Sequence, residues 1–312
     1  MKCFVTGGAG FIGSHLVDEL LIEEHEVTVF DNLSSGRKEF IKRHLNKENF
    51  RFIKADLLDE ERVLEEIEDH DVVFHLAAKP DVRIGREKPE VAKEDIIVTY
   101  NLLDAMRRRD VKKIVFSSSS TVYGETPPKP LPENYGPLLP ISVYGAAKLA
   151  CEGLISSFSH TFDMQSWIFR FANVVGERGT HGVIVDFIDK LRRNPRELEI
   201  LGDGKQKKNY LYVKDCVKGM LFGFEKAGEQ INLFNLGSHG ATEVTRIAEM
   251  IVEEMKLENV RFKYTGGKRG WKGDVPRFQF DITKIEKLGW KPKYESDEAV
   301  RKAIRDLLQV NV

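Results

Sequence analysis

Short runs rich in apolar residues recur along the first half of the chain: Cys3 to Val5, Val27 to Phe30, Phe50 to Ile53, Val72 to Phe74, Ile114 to Phe116 and Trp167 to Phe169. Runs without polar alternation are typical of strands buried on both faces, as in parallel sheets. Helical patterns lie between them, near residues 11–23, 59–68, 89–109 and 142–160. This order predicts an α/β fold with a doubly wound parallel sheet.

The pattern changes after about residue 175, where strands become scattered and glycine-rich turns appear. We predict a Rossmann domain over 1–175, with return segments at about 206–238, and a smaller C-terminal α/β substrate-binding domain over 176–312. The segment Thr126 to Pro140 holds six prolines, which exclude a helix or a central strand. It follows the carboxyl end of a predicted strand, where ligands bind in such sheets. It is therefore a candidate wall or lid, the alternative being a simple connector.

A glycine-rich turn, Gly7-Gly8-Ala9-Gly10-Phe11-Ile12-Gly13, joins the first strand to the first helix. Glycines in this context permit a tight turn and let a pyrophosphate approach the positive end of the helix. Asp31 ends the second strand, where a carboxylate accepts hydrogen bonds from the adenosine ribose and repels a 2′-phosphate. The sequence thus favours NAD over NADP, and only Arg37 nearby argues otherwise.

Tyr144 and Lys148 lie four residues apart in a predicted helix, and Ser142 is its predicted N-cap. One helical turn places the phenol and the ammonium on the same face. Half ionisation of a phenol near pH 7 needs about 4 kcal/mol. A unit charge about 4 Å away supplies on the order of 4 kcal/mol at an effective dielectric constant of about 20, before desolvation. The pair therefore predicts a tyrosinate base.

The four-residue spacing alone is weak evidence for a catalytic pair, because Tyr210 with Lys214 and Tyr264 with Lys268 share it. Those two tyrosines lie in strand-like or glycine-flanked segments, whereas Tyr144 follows the serine-rich strand end Ser117-Ser118-Ser119. The alternative for Tyr144 is a core tyrosine beside a surface lysine.

Composition and charge bear on the size of the core, the partners, the location and the metal sites that we expect. The chain has 312 residues, 41% of them apolar, and a net charge of −1, which is enough for a substantial core. The balanced charge leaves no basic stripe, so we expect no nucleic-acid partner. No run of about 18 apolar residues and no signal-peptide pattern is present, so we expect no membrane association and a cytoplasmic location. The three cysteines, Cys3, Cys151 and Cys216, lack metal-ligand spacing, and no metal site is predicted.

A series of motifs in a fixed order resembles the UDP-glucose 4-epimerase family of nucleotide-sugar epimerases, in the extended short-chain dehydrogenase/reductase superfamily. The resemblance spans nearly the whole chain. Its marks are Val5 to His15, Phe30-Asp31-Asn32-Leu33, His75-Leu76-Ala77-Ala78, Phe116 to Gly124, Tyr144 with Lys148, Arg170 to Gly176, Leu201 to Gln206 and Gly273 to Pro276.

The resemblance implies NAD-dependent epimerisation at C4 of a UDP-hexose, UDP-glucose or UDP-galactose, through a transient 4-keto intermediate. Tyr144 would remove the 4-hydroxyl proton, Lys148 would hold the cofactor ribose and lower the pKa of the tyrosine, and Ser119 would bridge the two hydroxyl groups. Alignment with the family motif assigns the catalytic serine to Ser119. A shift of the alignment by one position within Ser117 to Ser120 stays open.

The positions of residues in the predicted fold and the family resemblance together predict a set of cofactor-binding residues, called the cofactor set. It comprises Gly7, Gly10, Phe11, Ile12, Gly13, Asp31, Asn32, Leu33, Ser34, Ser35, Gly36, Asp56, Leu57, Leu76, Ala77, Ala78, Lys79, Ser117, Tyr144, Lys148 and Ala172.

The substrate set implied by the resemblance comprises Ser119, Tyr144, Asn173, Gly182, Val183, Lys208 and Arg269. Lys208 stands where the family commonly has an arginine on the diphosphate, so Arg269 is the candidate bidentate ligand. Phe278 falls near the family's gate for the sugar 2-substituent. Asp95 replaces the usual asparagine of an Asn-Val-x-Gly-Thr motif. A homodimer through helices 89–109 and 142–160 is also implied.

Two positions separate this pattern from related chemistries. Nucleotide-sugar 4,6-dehydratases carry Asp-Glu where this chain has Ser120-Thr121, and UDP-glucuronate decarboxylases carry a glutamate at 121. Three alternatives stay open: a nucleotide-sugar 4-reductase or dehydrogenase, a UDP-N-acetylhexosamine 4-epimerase, and an NAD-binding sensor without catalysis. The sequence leaves the sugar and the base undecided.

Overall fold

The computed structural model describes residues 1–79, 88–127, 129–271 and 273–309. In these ranges the helices are α1 (Phe11–Ile22), α2 (Glu60–Glu66), α3 (Glu90–Arg108), α4 (Val143–Thr161), α5 (Val183–Arg193), α6 (Val213–Lys226), α7 (Val244–Glu254), α8 (Thr283–Lys287) and α9 (Ser296–Gln309). The four helices predicted in the first half, near 11–23, 59–68, 89–109 and 142–160, are confirmed.

The strands are β1 (Lys2–Thr6), β2 (Glu26–Phe30), β3 (Phe50–Ile53), β4 (Val72–His75), β5 (Lys113–Ser119), β6 (Gln165–Phe171), β7 (Asn173–Val175), β8 (Glu197–Ile200), β9 (Lys207–Lys208), β10 (Tyr210–Tyr212), β11 (Ile231–Leu236), β12 (Thr242–Glu243), β13 (Arg261–Tyr264) and β14 (Arg277–Phe278). Every predicted apolar run of the first half lies in one of them.

Contacts divide the chain into two compact units. The first unit comprises Met1–Val122, Ser142–Arg170 and Met220–Phe234, and the second comprises Tyr123–Ile141, Phe171–Gly219 and Asn235–Val312. This division assigns the proline-rich loop and residues 171–175 to the second unit, whereas the sequence suggested a boundary after residue 175. The later segment that belongs to the first unit, Met220–Phe234, is shorter than the suggested 206–238.

The first unit is built on a seven-stranded sheet in the order β3-β2-β1-β4-β5-β6-β11. The pairs β1–β2, β1–β4, β2–β3 and β4–β5 are parallel. The predicted doubly wound α/β fold is therefore confirmed. The chain reverses its direction across the sheet between β1 and β4, and the crevice at such a switch point is the usual ligand site.

Burial on both sheet faces explains the apolar runs. Phe4, Phe30, Phe74 and Phe116 are all at most 1% exposed and come from four different strands. Helix α4 packs beside α3. At the start of α4 the Ser142 hydroxyl accepts a hydrogen bond from the Gly145 N–H at 3.1 Å, so the predicted N-cap is confirmed. This cap fixes where the helix begins, one residue before Tyr144.

The second unit contains three small sheets, β10-β7, β12-β9-β14 and β13-β8. Helices α5, α7 and α9 contribute apolar side chains to its core. The described part of the proline-rich loop, 126–127 and 129–140, forms no helix or strand beyond isolated bridges at Leu131 and Leu139, as the prolines predict. Within the described ranges, none of the helices combines the length and the apolar composition needed to span a bilayer.

Candidate active site

The N-terminus of α1 forms an open cradle. Gly10 is the N-cap and, lacking a side chain, cannot itself accept a hydrogen bond from the first-turn N–H groups. The Gly10 N–H donates to the Gly7 carbonyl at 3.0 Å, which closes the turn. A Cβ added at Gly10 would meet only that carbonyl, at 3.1 Å, so the space in front of the helix is open. Backbone N–H groups at the positive end of a helix suit a diphosphate.

Glycine is required elsewhere in the same turn for a different reason. Gly7 has φ +70°, and a Cβ there would lie 2.7 Å from the backbone nitrogen of Ala77. A Cβ at Gly13 would lie 2.1 Å from the Gly7 carbonyl oxygen. The segment after β1 thus touches the segment after β4, and the structure brings together two parts of the predicted cofactor set.

Asp31 closes the far side of the turn. Its carboxylate accepts hydrogen bonds from the Ala9 N–H at 2.9 Å and the Leu33 N–H at 2.8 Å. Burial raises the pKa of this carboxyl, and the two N–H donors oppose the rise. The next residue, Asn32, donates to Asp56 Oδ2 at 2.8 Å, which links two more predicted cofactor residues. A carboxylate fixed beside the glycine turn fits the ribose of an adenosine.

Lys148 is buried beneath the end of β5, with 3% of its surface exposed. Its ammonium donates to the Ser117 carbonyl at 2.8 Å and lies 4.6 Å from the Phe116 ring centroid. The Tyr144 ring centroid is 5.9 Å away, so the two side chains share a helix face as the spacing predicts. Tyr144 is half-buried. The phenol and the ammonium therefore meet at the carboxyl edge of the sheet.

The three serines at the end of β5 have different partners. The Ser117 hydroxyl donates to the His75 carbonyl at 3.2 Å, and the Ser118 hydroxyl donates to Glu152, which forms a buried ion pair with Arg170. The Ser119 hydroxyl lies close enough to Tyr144 to oppose the rise in the pKa of the phenol. The Ser117 and Ser118 hydroxyls thus have other partners, and Ser119 stays the predicted catalytic serine.

Thr121 also holds Ser119. The Ser119 oxygen accepts a hydrogen bond from the Thr121 N–H at 3.2 Å and another from the Thr121 hydroxyl at 3.0 Å. A serine hydroxyl has one proton and two acceptor lone pairs. With both lone pairs occupied, the Ser119 hydroxyl proton remains available to a further acceptor.

The pKa of Tyr144 is raised, not lowered as the spacing with Lys148 indicates. Burial is the main cause, the Asp95 carboxylate adds to it, and the Ser119 hydroxyl opposes it. Desolvation disfavours the charged phenolate more than the local donors favour it. The pKa of Lys148 is lowered by its own burial, against the attraction of Asp95. Without cofactor or substrate, Tyr144 is thus a protonated phenol at neutral pH.

The second unit holds the predicted substrate residues other than Ser119 and Tyr144, which lie in the first unit. The Asn173 side chain donates to the Asn209 carbonyl at 3.3 Å, and Gly182, with φ +99°, precedes α5, which begins at Val183. Ala172, predicted for the cofactor, lies in this unit, where its N–H donates to Leu236.

Lys208 and Arg269 are brought together by Asp274. The Lys208 ammonium forms an ion pair with the Asp274 carboxylate, and Arg269 donates to the Asp274 carbonyl at 3.2 Å. Arg269 also pairs with Glu125. The two cations proposed for the diphosphate therefore converge within one unit, each with a carboxylate partner that an anionic ligand would have to displace or share.

Three residues of interest have weak sequence signals. Asp95 and Thr121 stand out in the sequence only as differences from related families, and Asp274 only within a motif. Asp95 contacts a residue 16 positions away and Asp274 contacts one 66 positions away, whereas the contact of Thr121 with Ser119 depends on where β5 ends. Local sequence patterns therefore do not reveal these contacts.

The first unit has the features of a dinucleotide-dependent oxidoreductase: a doubly wound sheet, an open glycine turn, a fixed carboxylate after β2 and a tyrosine–lysine–serine group after β5. The family model of the NAD dependent epimerase/dehydratase family matches residues 3–237. The chain belongs to this family, which confirms the resemblance and the prediction of NAD as cofactor.

Individual relatives agree with this assignment. The chain is 36% identical over 309 residues to a putative UDP-glucose 4-epimerase of Methanocaldococcus jannaschii, with 96% of each chain covered. It is 34% identical to the crystal structure of a Thermotoga maritima UDP-glucose 4-epimerase with UDP-glucose, with all of both chains covered and a TM-score of 0.90. It is also 32% identical over 319 residues to UDP-glucuronic acid decarboxylase 4 of Arabidopsis thaliana, covering 99% of this chain and 69% of that one.

Proposed function

We propose that this protein is an isomerase that interconverts UDP-glucose and UDP-galactose by NAD-dependent epimerisation at C4. The observation that carries the proposal is the grouping of Tyr144, Lys148 and Ser119 at the end of β5, with hydroxyl residues at 120 and 121. In related enzymes, elimination uses carboxylates at both positions, and decarboxylation uses a glutamate at position 121. The relatives with epimerase names support the same reading.

The residues that would hold NAD follow from the site. The first-turn N–H groups of α1 would bind the diphosphate, Asp31 the adenosine ribose, and Lys148 the nicotinamide ribose. When bound, NAD supplies a hydride acceptor and donor for C4 of the sugar. Asp31 is placed to repel a 2′-phosphate, which favours NAD over NADP.

Tyr144 would transfer the proton of the reaction. It removes the proton of the sugar 4-hydroxyl as C4 is oxidised to a ketone, and it returns the proton when the ketone is reduced on its opposite face. Ser119 would donate to the oxygen that carries negative charge in each step. Because burial raises the pKa of Tyr144, the base form depends on nearby positive charge, from Lys148 and from the oxidised nicotinamide.

Lys208 and Arg269 would bind the UDP diphosphate in the second unit. Phe278 pairs with Lys208 in the β14–β9 register and packs edge-to-face on Phe280, with 4.6 Å between ring centroids. A packed aromatic ring near the sugar disfavours an N-acetyl group at C2, so we favour glucose and galactose over N-acetylhexosamines. We also expect a homodimer and a cytoplasmic location, as the sequence predicts.

Incubation of the purified protein with UDP-galactose and no added reductant tests the proposal. We expect UDP-glucose to form until equilibrium, with no net change in NADH absorbance, because the hydride returns to the sugar. Parallel incubations with UDP-N-acetylgalactosamine and thymidine diphosphate sugars define the sugar and base. A product that forms only in proportion to added NADH would identify a 4-reductase instead, and NAD binding without turnover of any of these sugars would identify a sensor.

Thr121→Val should lower kcat about fivefold with little change in KM. The substitution removes one hydrogen bond, worth about 1 kcal/mol, that orients the Ser119 hydroxyl. Steady-state kinetics with UDP-galactose measure the effect, and Thr121→Ser, which keeps the hydroxyl, is the matched control. Equal activity in both variants would show that the Thr121 hydroxyl does not position Ser119.

A further inference from the structure

A buried ion pair lies beside the end of β5. Glu152 on α4 and Arg170 on β6 have 7% and 3% of their surface exposed. Arg170 donates to both oxygens of the Glu152 carboxylate, from Nε to Oε1 at 2.9 Å and from Nη2 to Oε2 at 2.7 Å. Because the guanidinium is a rigid planar fork, this bidentate contact fixes the orientation of both side chains.

The same carboxylate is tied to the strand that ends in the serines. The Ser118 hydroxyl donates to Glu152 Oε1, so one carboxylate joins α4, β5 and β6. Glu152 follows Lys148 by four residues, which places the two on one side of α4. The Lys148 ammonium donates to the Ser117 carbonyl at 2.8 Å. Two successive residues of β5 are thus held from α4, and we call these four residues together with Arg170 the α4–β5 clamp.

Stability alone does not account for an ion pair in this place. Two ions lose their hydration when they are buried, and their attraction often does no more than offset that cost. Apolar residues of similar volume often give equal or greater stability at such sites. What the bidentate pair adds is a defined direction and distance. Its position between α4 and the end of β5 therefore fits a requirement for a fixed arrangement of these two elements.

These two elements carry the proposed proton-transfer group, since Tyr144 projects from α4 and Ser119 ends β5. We propose, on the basis of the proposed function, that Glu152 and Arg170 are positioning residues that fix α4 against the end of β5 and so set the geometry of proton transfer. Both side chains are buried, and they act through Ser118, which immediately precedes Ser119.

Ser118→Ala cuts the link between the ion pair and β5 and leaves the pair in place. A misplacement of about 1 Å can lower the rate of a positioned reaction about 10²-fold. For the loss of this one link we expect kcat with UDP-galactose to fall about tenfold, with KM and NAD content nearly unchanged, because a hydrogen bond to a charged group is among the stronger ones. Steady-state kinetics and cofactor content measure these effects.

Ser159→Ala is the matched control. Ser159 also lies on α4, is fully buried and donates to the Ile155 carbonyl at 2.8 Å. This variant removes a buried hydroxyl from the same helix without touching the α4–β5 clamp, so its kcat should not change. Equal kcat in the two variants would overturn the proposal. A Ser118→Ala variant that loses NAD in proportion to kcat would also overturn it, because that result indicates a structural role alone.

The double variant Glu152→Met/Arg170→Met removes the ion pair itself. Both charges go together, so neither ion is left buried without the other and the net charge is unchanged. The fold and the thermal midpoint should therefore be retained, whereas kcat should fall about 10- to 100-fold as the clamp loosens. Retained kcat in the folded double variant would overturn the proposal. If the double variant does not fold, the comparison of Ser118→Ala with Ser159→Ala decides.

Amide hydrogen exchange of residues 113–121 does not depend on turnover. We expect this segment to exchange faster in the double variant than in the original protein, because the side-chain links that hold the strand end are gone. Where UDP-galactose is converted, kcat decides. Where no UDP-sugar is converted, the proposed function is wrong and the exchange decides: faster exchange would support the α4–β5 clamp, and unchanged exchange would contradict it as well.

Discussion

Tyr144→Phe should lower the kcat of UDP-galactose epimerisation by about 10²–10⁴-fold, the range typical for loss of a general acid–base group. The ring remains, so Lys148 keeps its aromatic neighbour and its hydrogen bond to the Ser117 carbonyl. Because only the proton-transfer group is lost, NAD binding and the thermal midpoint should change little. Steady-state kinetics, cofactor content and thermal unfolding measure the three effects.

Tyr264→Phe is the matched control for this substitution. Tyr264 shares the four-residue spacing to a lysine, but it lies in β13, is 42% exposed and contacts the Thr245 hydroxyl at 3.2 Å. Its kcat should stay within about twofold of the unchanged protein, as for most surface substitutions. A Tyr144→Phe variant that retains more than about a tenth of the original kcat would exclude Tyr144 as the proton-transfer group.

Gly13→Ala should abolish NAD retention and destabilise the protein by about 1–3 kcal/mol or more, as overpacking does. The added Cβ would lie 2.1 Å from the Gly7 carbonyl oxygen and 2.9 Å from the Gly8 Cα. These neighbours are backbone atoms of the tight turn and cannot move without opening it. The turn also carries the Gly10 N–H bond to Gly7. Cofactor content after purification and the thermal midpoint measure the two effects.

Gly153→Ala is the matched control, since it makes the same change within a helix. A Cβ at Gly153 meets nothing within 4 Å. The helix α4 should gain up to about 1 kcal/mol, because alanine favours a helix over glycine. If Gly13→Ala keeps its NAD and its thermal midpoint, the close approach within the turn does not hold the cofactor site together.

Much of the first unit was predictable because its signals are local. The unbroken apolar runs mark strands buried on both faces, and Phe4, Phe30, Phe74 and Phe116 are indeed buried. Ser142 marks the start of α4 because an N-cap acts over three residues. The spacing of Tyr144 and Lys148 gave their shared helix face for the same reason.

The electrostatics of the site were not predictable from spacing. The spacing indicated a tyrosine pKa lowered by Lys148, whereas burial raises the pKa of Tyr144 and Asp95 adds to the rise. Both causes depend on what covers the side chain in the folded protein. The convergence of Lys208 and Arg269 on Asp274 likewise joins residues up to 66 positions apart.

The sequence by itself determined the strand and helix order, the glycine turn, the choice of NAD and the identity of the candidate acid–base residues, because each depends on short-range geometry or on a motif in fixed order. Only the tertiary structure decided how the chain divides into units, which partners the serines at the end of β5 have, and that burial raises the pKa of Tyr144. Those features depend on desolvation and on contacts between distant segments, and both arise only when the chain is packed.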